Sequence, residues 1–252
     1  MDITLFILAI SFLSLLALYL WWNRSATYVS RAYAAFRKGN LPAVKSAFAL
    51  AEAAGRMNLD ATVSFAYLLL KDGEAEQAGV LLNRTLQFGR RGRALKTPQI
   101  RLVQTYRSLV LWKSGQLDAA VELLEGLLAD GYRTLTLYGN LGYLLIEQKN
   151  WARAEVVCLE AAEWDSEGKV ILDNLGYLYL CQEKWEQAGE VYARLLPLDP
   201  QFPEAWWNAG LVAVHQGDPV EARRLWEKAL SLPFSALSTV EREEIERAVQ
   251  GL

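Results

Sequence analysis

The chain repeats itself every 34 residues, and no other feature restricts its fold as tightly. A self-similar period of about 20–50 residues marks a stack of similar supersecondary units, each too small to bury its apolar face alone. Aligned on Gly142, Gly176 and Gly210, three units run without a gap over 135–168, 169–202 and 203–236. The middle one places Leu172, Leu175, Gly176 and Tyr179 at helical spacing, then Ala188 and Tyr192, then Pro200. The third has Trp206, Ala209, Gly210, Ala213, Ala222, Trp226 and Ala229 at those places, and the first has Tyr138, Leu141, Gly142, Leu145, Ala154, Cys158 and Ala161. Apolar residues three and four apart share one face of a helix. The small residues let the two helices of a hairpin come close while the large ones fill the gaps.

The middle unit resembles the tetratricopeptide pattern, W-x2-L-G-x2-Y…A-x3-F…P, at every anchor, with stand-ins at two of them. Toward the N-terminus the same register passes through degenerate units. Gly115 defines 101–134, Gly73 defines 59–92 and Gly39 defines 25–58; only residues 93–100 break the period. The resemblance implies an all-α fold, a right-handed superhelix of about six helical hairpins over 25–252. Residues 237–252 close the array as a capping helix: Ser238-Thr239-Val240-Glu241 reads as a capping box, and Val240, Ile245, Ala248 and Val249 form one apolar stripe. Asp218 followed by Pro219 reads as the start of the last hairpin's second helix.

Residues 1–24 have a different character. From Ile3 to Trp22 no residue is charged, and a helix of that length spans roughly 30 Å, the thickness of a bilayer hydrocarbon core. Asp2 stands where a cleavable signal would carry positive charge, and Tyr19, Trp21 and Trp22 end the run as an interfacial aromatic belt does. We read 3–22 as an uncleaved transmembrane helix in contact with the lipid bilayer. Arg24, Arg31, Arg37, Lys38 and Lys45 all precede the next acid, Glu52. The positive-inside bias therefore puts the N-terminus outside and the repeats in the cytoplasm.

Chemistry is sparse. A net charge of −3 gives no global reason to expect nucleic acid. His215 is the sole histidine, and Cys158 and Cys181 form no C-x-x-C pair, so neither a zinc site nor a catalytic set is expected. The cysteines read as small apolar residues in helices, with a disulfide between them as the alternative. No P-loop, G-x-G-x-x-G or H-E-x-x-H is present. No enzyme, cofactor or small-molecule substrate is expected.

The resemblance to tetratricopeptide repeats also implies which residues meet a ligand, because in that family the first helix of each hairpin lines a groove with its second, fifth, sixth, ninth, twelfth and thirteenth positions. The sixth position is Asn140, Asn174 and Asn208 in the last three hairpins. Such amides can pair with an extended peptide backbone or serve helix packing. The ninth position is Tyr33, Tyr67, Tyr143 and Tyr177, and Phe36, Tyr106, Trp112 and Trp207 add to it. These rings can grip apolar side chains or pack between hairpins. The thirteenth position is Arg37, Lys71 and Lys113, then Glu147, Cys181 and His215. The three cations suit a carboxylate-bearing ligand or a solvated face. Arg90, Arg91, Arg93 and Lys96 form a basic segment that suits lipid headgroups or an acidic partner. The expected function is a membrane-anchored scaffold that holds a protein or peptide in its groove. The alternatives are an extracytoplasmic holder of translocating chains and a docking or regulatory subunit of an enzyme complex.

Overall fold

A computed structural model describes residues 3–55, 57–89 and 94–252, with side chains from Ile10 onward. Among the described residues there are thirteen α-helices and no strand. In chain order they are α1 (Ile3–Arg37), α2 (Leu41–Ala53), α3 (Leu59–Lys71), α4 (Ala75–Phe88), α5 (Thr97–Lys113), α6 (Leu117–Ala129), α7 (Leu135–Glu147), α8 (Trp151–Trp164), α9 (Lys169–Cys181), α10 (Trp185–Leu195), α11 (Pro203–His215), α12 (Pro219–Leu230) and α13 (Arg242–Gly251). The chain divides into two compact units, 1–69 with 76–103, and 70–75 with 104–252.

In the first unit α1 packs on α2. Their interface buries Val29, Ala32, Val44, Phe48 and Ala51. Ser25 ties the hairpin by donating its hydroxyl to the carbonyl of Ala51 at 2.9 Å. Phe48 stacks on Phe65, linking α2 to α3, and Arg84 pairs with Glu52. α1 runs without a break from the apolar run into this hairpin.

The second unit holds the regular hairpins α7–α8, α9–α10 and α11–α12, each contacting the next. One core runs through them, from Ala120 in α6 to Ile245 in α13. The glycines that set the repeat register each face the residue sixteen places later in the partner helix. A Cβ on Gly142 would come within 2.8 Å of the Cys158 sulfur, and one on Gly176 within 2.7 Å of the Tyr192 ring; on Gly210 it would run into the Trp226 indole. In the last two hairpins the missing side chain thus makes room for an aromatic ring, a tighter constraint than helix approach alone.

The turns inside hairpins follow the same period. Gly115, Lys149, Glu183 and Gly217 all have positive φ. After each, the next residue's N–H reaches back to a carbonyl five places earlier, as in Lys184 to Tyr179 at 2.8 Å and Asp218 to Ala213 at 2.9 Å. This left-handed helix ending favours glycine, yet Lys149 and Glu183 adopt it.

Several expectations need correction. α5 begins at Thr97, inside the expected insertion, since the Gln99 side chain accepts from the Lys96 N–H at 2.9 Å and opens the helix there. Ser238 to Glu241 is no capping box: α13 starts at Arg242, and the Ser238 hydroxyl accepts from the Ser235 N–H at 3.2 Å instead. The stripe behind that motif does hold, with Val240 and Ile245 buried. Asp218 caps α12 as its sequence implies, accepting from the Glu221 N–H at 2.9 Å with Pro219 in the first turn. Both cysteines are free, Cys158 buried and Cys181 half-buried. Among the described residues no helix is long and apolar enough to cross a membrane. Of the expected span 3–22, the side chains of 3–9 lie outside the described residues, as do Arg90, Arg91 and Arg93 of the basic segment.

Candidate functional site

Within the second unit the first helices α7, α9 and α11 lie side by side. The asparagines at their sixth positions turn toward the neighbouring helix. Asn140 donates its amide to the carbonyl of Thr105 at 3.3 Å, and Asn174 to that of Gly139 at 2.8 Å. Each bond reaches back 35 residues, one hairpin plus one place. Asn208 stands as a donor beside the Asp173 carboxyl and the Tyr192 hydroxyl. Asn174 and Asn208 are only 4% and 6% exposed. Gly142 makes the space for one of them, since a Cβ there would lie 3.3 Å from the Asn174 amide nitrogen. The amides join hairpin to hairpin, and Asn174 and Asn208 leave little surface for a ligand while Asn140 is half-buried, which favours the packing alternative.

The aromatic residues divide differently. Trp112, Tyr143 and Tyr177, from three consecutive hairpins, form one strip: Trp112 meets Tyr143 edge to face at 5.2 Å, and Tyr143 stacks near Tyr177 at 6.4 Å with 20° between planes. All three are half-buried and pack against the core. Trp207 belongs to its own hairpin. It stacks on Trp226 at 5.0 Å, and its carbonyl accepts from the Trp226 indole N–H at 3.1 Å. In the first unit Tyr33 meets Phe48 edge-on at 5.7 Å, and both Tyr33 and Tyr67 are exposed.

The three cations do not assemble within one unit. Arg37 falls in the first, whereas Lys71 and Lys113 fall in the second. Lys71 is exposed, and its carbonyl accepts from the Ala236 N–H at 2.8 Å. The Lys113 ammonium lies 4.6 Å from the centre of the Trp112 ring, a cation–π contact at one end of the aromatic strip.

Acids border the rest of the strip. The Tyr177 hydroxyl donates to Glu147 at 3.5 Å, and the Tyr192 hydroxyl donates to the half-buried Asp173 at 3.4 Å. Burial and then the Glu204 carboxylate push the Asp173 carboxyl up to about 7, partly offset by the bonds from Asn208 and Tyr192. Burial holds the Tyr143 hydroxyl well above its ordinary range, with Glu147, Tyr177 and Glu204 adding to it. Tyr177 is raised likewise by burial, then by Cys181 and Glu147. Asp173 and Glu204 are the fifth and second residues of their hairpins. The second and fifth groove positions of each unit, like the thirteenth, carry the signal that finds them. Among the described residues no cluster of three or more His, Cys, Asp or Glu side chains is arranged to hold a metal ion.

Comparison with known proteins agrees with the stacked helical hairpins. The family model described as tetratricopeptide repeat matches residues 107–167 and 174–234. No curated protein matches the chain. Among solved structures, a tetratricopeptide repeat protein from Parabacteroides merdae superposes with a TM-score of 0.69 at 15% identity, covering 90% of this chain and 84% of its own. A thermophilic protein of the same repeat type from Thermus thermophilus gives 0.61 at 19% identity, covering 77% of this chain and all of its own. PilF of Pseudomonas aeruginosa gives 0.57 at 14% identity, covering 90% and 97%. At such identities these likenesses concern the fold alone.

Proposed function

The chain belongs to the tetratricopeptide-repeat family, and on that premise we propose that it is a membrane-anchored scaffold, holding a segment of a partner protein against the first helices of its second unit. The observation that carries the reading is the half-buried strip Trp112–Tyr143–Tyr177. Rings that are rigid and partly exposed supply contact area at low entropic cost. The amide bonds between hairpins hold that surface in one shape before a ligand arrives.

Support for the anchor comes from α1. Phe12, Leu13, Leu15, Leu18, Tyr19, Leu20, Trp21 and Trp22 are each more than half exposed. An apolar surface of that extent needs a cover, and a bilayer is the cover that also suits Arg24 and Arg31 just beyond it. With α1 unbroken into the first hairpin, the repeats follow the anchor without a flexible linker. The same charge bias proposes the N-terminus outside and the repeats in the cytoplasm. A reporter fused at Leu252 tests that orientation: a phosphatase active only outside the cytoplasm should be silent there, and activity would favour the translocation-holder alternative.

A photocrosslinking side chain placed at Tyr143 in the full-length, membrane-embedded chain tests the groove. Capture of one partner from Tyr143 and none from the equally engineered Val220, exposed on α12, is the expected result. Capture from Val220 alone would move the binding surface to the second helices.

A further inference from the structure

The proposed groove has a sign, opposite to the one suggested by the cation row. Glu147 lies against the Tyr177 hydroxyl, Asp173 is held between Tyr192 and Asn208, and Glu204 acts on both Asp173 and Tyr143. Glu204 has one partner of its own, the Thr239 N–H at 3.0 Å. Among the described residues no ion pair reaches any of the three acids. Several cations of the same hairpins are engaged elsewhere: Arg153 with Glu125, Arg224 with Glu221 and Lys228 with Asp199. A tyrosine surface beside the exposed Glu147 carboxylate, which has no ion pair among the described residues, attracts a cation twice over, through the ring quadrupoles and through that carboxylate.

Resting on the groove reading above, we propose that the occupant is a basic, extended segment of a partner protein, with an arginine or lysine side chain lying on Tyr143 and Tyr177 and its charge against Glu147. Arginine fits this geometry better, because its planar guanidinium stacks on a ring while its edge meets a carboxylate. Lys113 over Trp112 shows the same kind of contact at the end of the strip. A cation arriving beside Asp173 also favours that group's ionised form, so binding near neutral pH releases protons.

Fluorescence anisotropy with the full chain in a zwitterionic detergent tests the proposal, using three labelled nonapeptides that alternate leucine with arginine, citrulline or glutamate. The arginine peptide should bind at least tenfold more tightly than the other two, lose most of that advantage at high salt, and weaken roughly tenfold on Glu147→Gln. Glu147 is exposed, so this substitution leaves folding intact; circular dichroism verifies it. Calorimetry in two buffers of different ionisation enthalpy should show proton release with the wild type and less with Asp173→Asn. Equal or tighter binding of the glutamate or citrulline peptide, still sensitive to Tyr177→Leu, would overturn the basic occupant and leave the groove standing. Arginine-peptide binding indifferent to both Glu147→Gln and Tyr177→Leu would overturn the two together. No binding of any peptide would overturn the basic occupant, leaving the groove to the crosslinking test.

Discussion

The two units use the same hairpin with different fastenings. In the second, the sixth position is asparagine in three hairpins; Asn140 and Asn174 bond to a carbonyl of the preceding first helix, and Asn208 stands beside Asp173 of α9. In the first unit that position is Ser30 and Ser64, and the hairpins are held by Ser25 on Ala51 and by the Phe48–Phe65 stack. The fifth position changes along the chain too: buried Val29 and Val63 in the first unit, then buried Thr105 and Gly139 and half-buried Asp173 and Trp207 in the second. Repetition of sequence therefore tracks repetition of contacts. Where every interface uses the same amide, the period is strict; where each interface is solved separately, it fades. The strict region also carries the aromatic strip, consistent with a surface that must keep its shape.

The largest expected effect tests the packing side of that contrast. Gly176→Leu should lose about 1–3 kcal/mol by overpacking against Tyr192, read as a lower midpoint in thermal unfolding. The equivalent residue of α3, Ala66, is fully buried with its methyl accommodated, so Ala66→Gly should cost only about 0.5–1 kcal/mol. Equal losses at the two sites would erase the distinction.

The amide staple comes next. Asn174→Ala should cost about 0.5–1.5 kcal/mol, whereas Ser64→Ala should change stability by less than about 0.5 kcal/mol. Chemical denaturation of both variants decides it, and a silent Asn174→Ala would return the amides to the ligand.

A third test uses pH. Asp173 is raised in the folded state from its ordinary 3.8 to about 7, so its neutral form is favoured by folding. That contribution is complete below pH 4 and is lost as pH rises through 7. Asp173→Asn should flatten this part of the stability profile and stabilise the protein above pH 7. An unchanged profile would mean that the Asp173 carboxyl is well solvated.

The smallest effect lies in the turns. Glu183 holds a φ of 58° where the same turn of the two N-terminal hairpins has Gly39 and Gly73, so Glu183→Gly should stabilise by up to about 1 kcal/mol. A loss instead would mean that the Glu183 side chain contributes more than its backbone strain costs.

Much of the fold was legible because hairpin packing imposes its own spacing: Gly142, Gly176 and Gly210 recur where a partner ring or sulfur needs room, and Asp218-Pro219 opens α12 as its chemistry dictates. The failures are local competitions. Ser238 had a second acceptor role available at Ser235, and Gln99 opened α5 a turn early. The direction of the asparagine side chains was not legible, since an amide at a groove position can turn along the surface or into the seam, and only the facing carbonyl decides. The acids were present in the sequence but separated by 26 and 31 residues, from Glu147 to Asp173 and from Asp173 to Glu204; stacking alone reveals that Glu147 and Glu204 both act on Tyr143 and that Glu204 acts on Asp173.

The account's central claim is that the tyrosine strip binds while the asparagines build. Measuring thermal midpoint and affinity for the crosslinked partner on the same preparations separates the two. Tyr143→Ser with Tyr177→Ser should lower affinity at least tenfold and keep the protein folded at the assay temperature. Asn140→Ala with Asn174→Ala should lower the midpoint by several degrees, about 2–4 °C per kcal/mol, and leave the affinity of the folded protein unchanged. The reverse pattern, with affinity lost through the asparagines at an unchanged midpoint and retained without the tyrosines, would contradict the assignment.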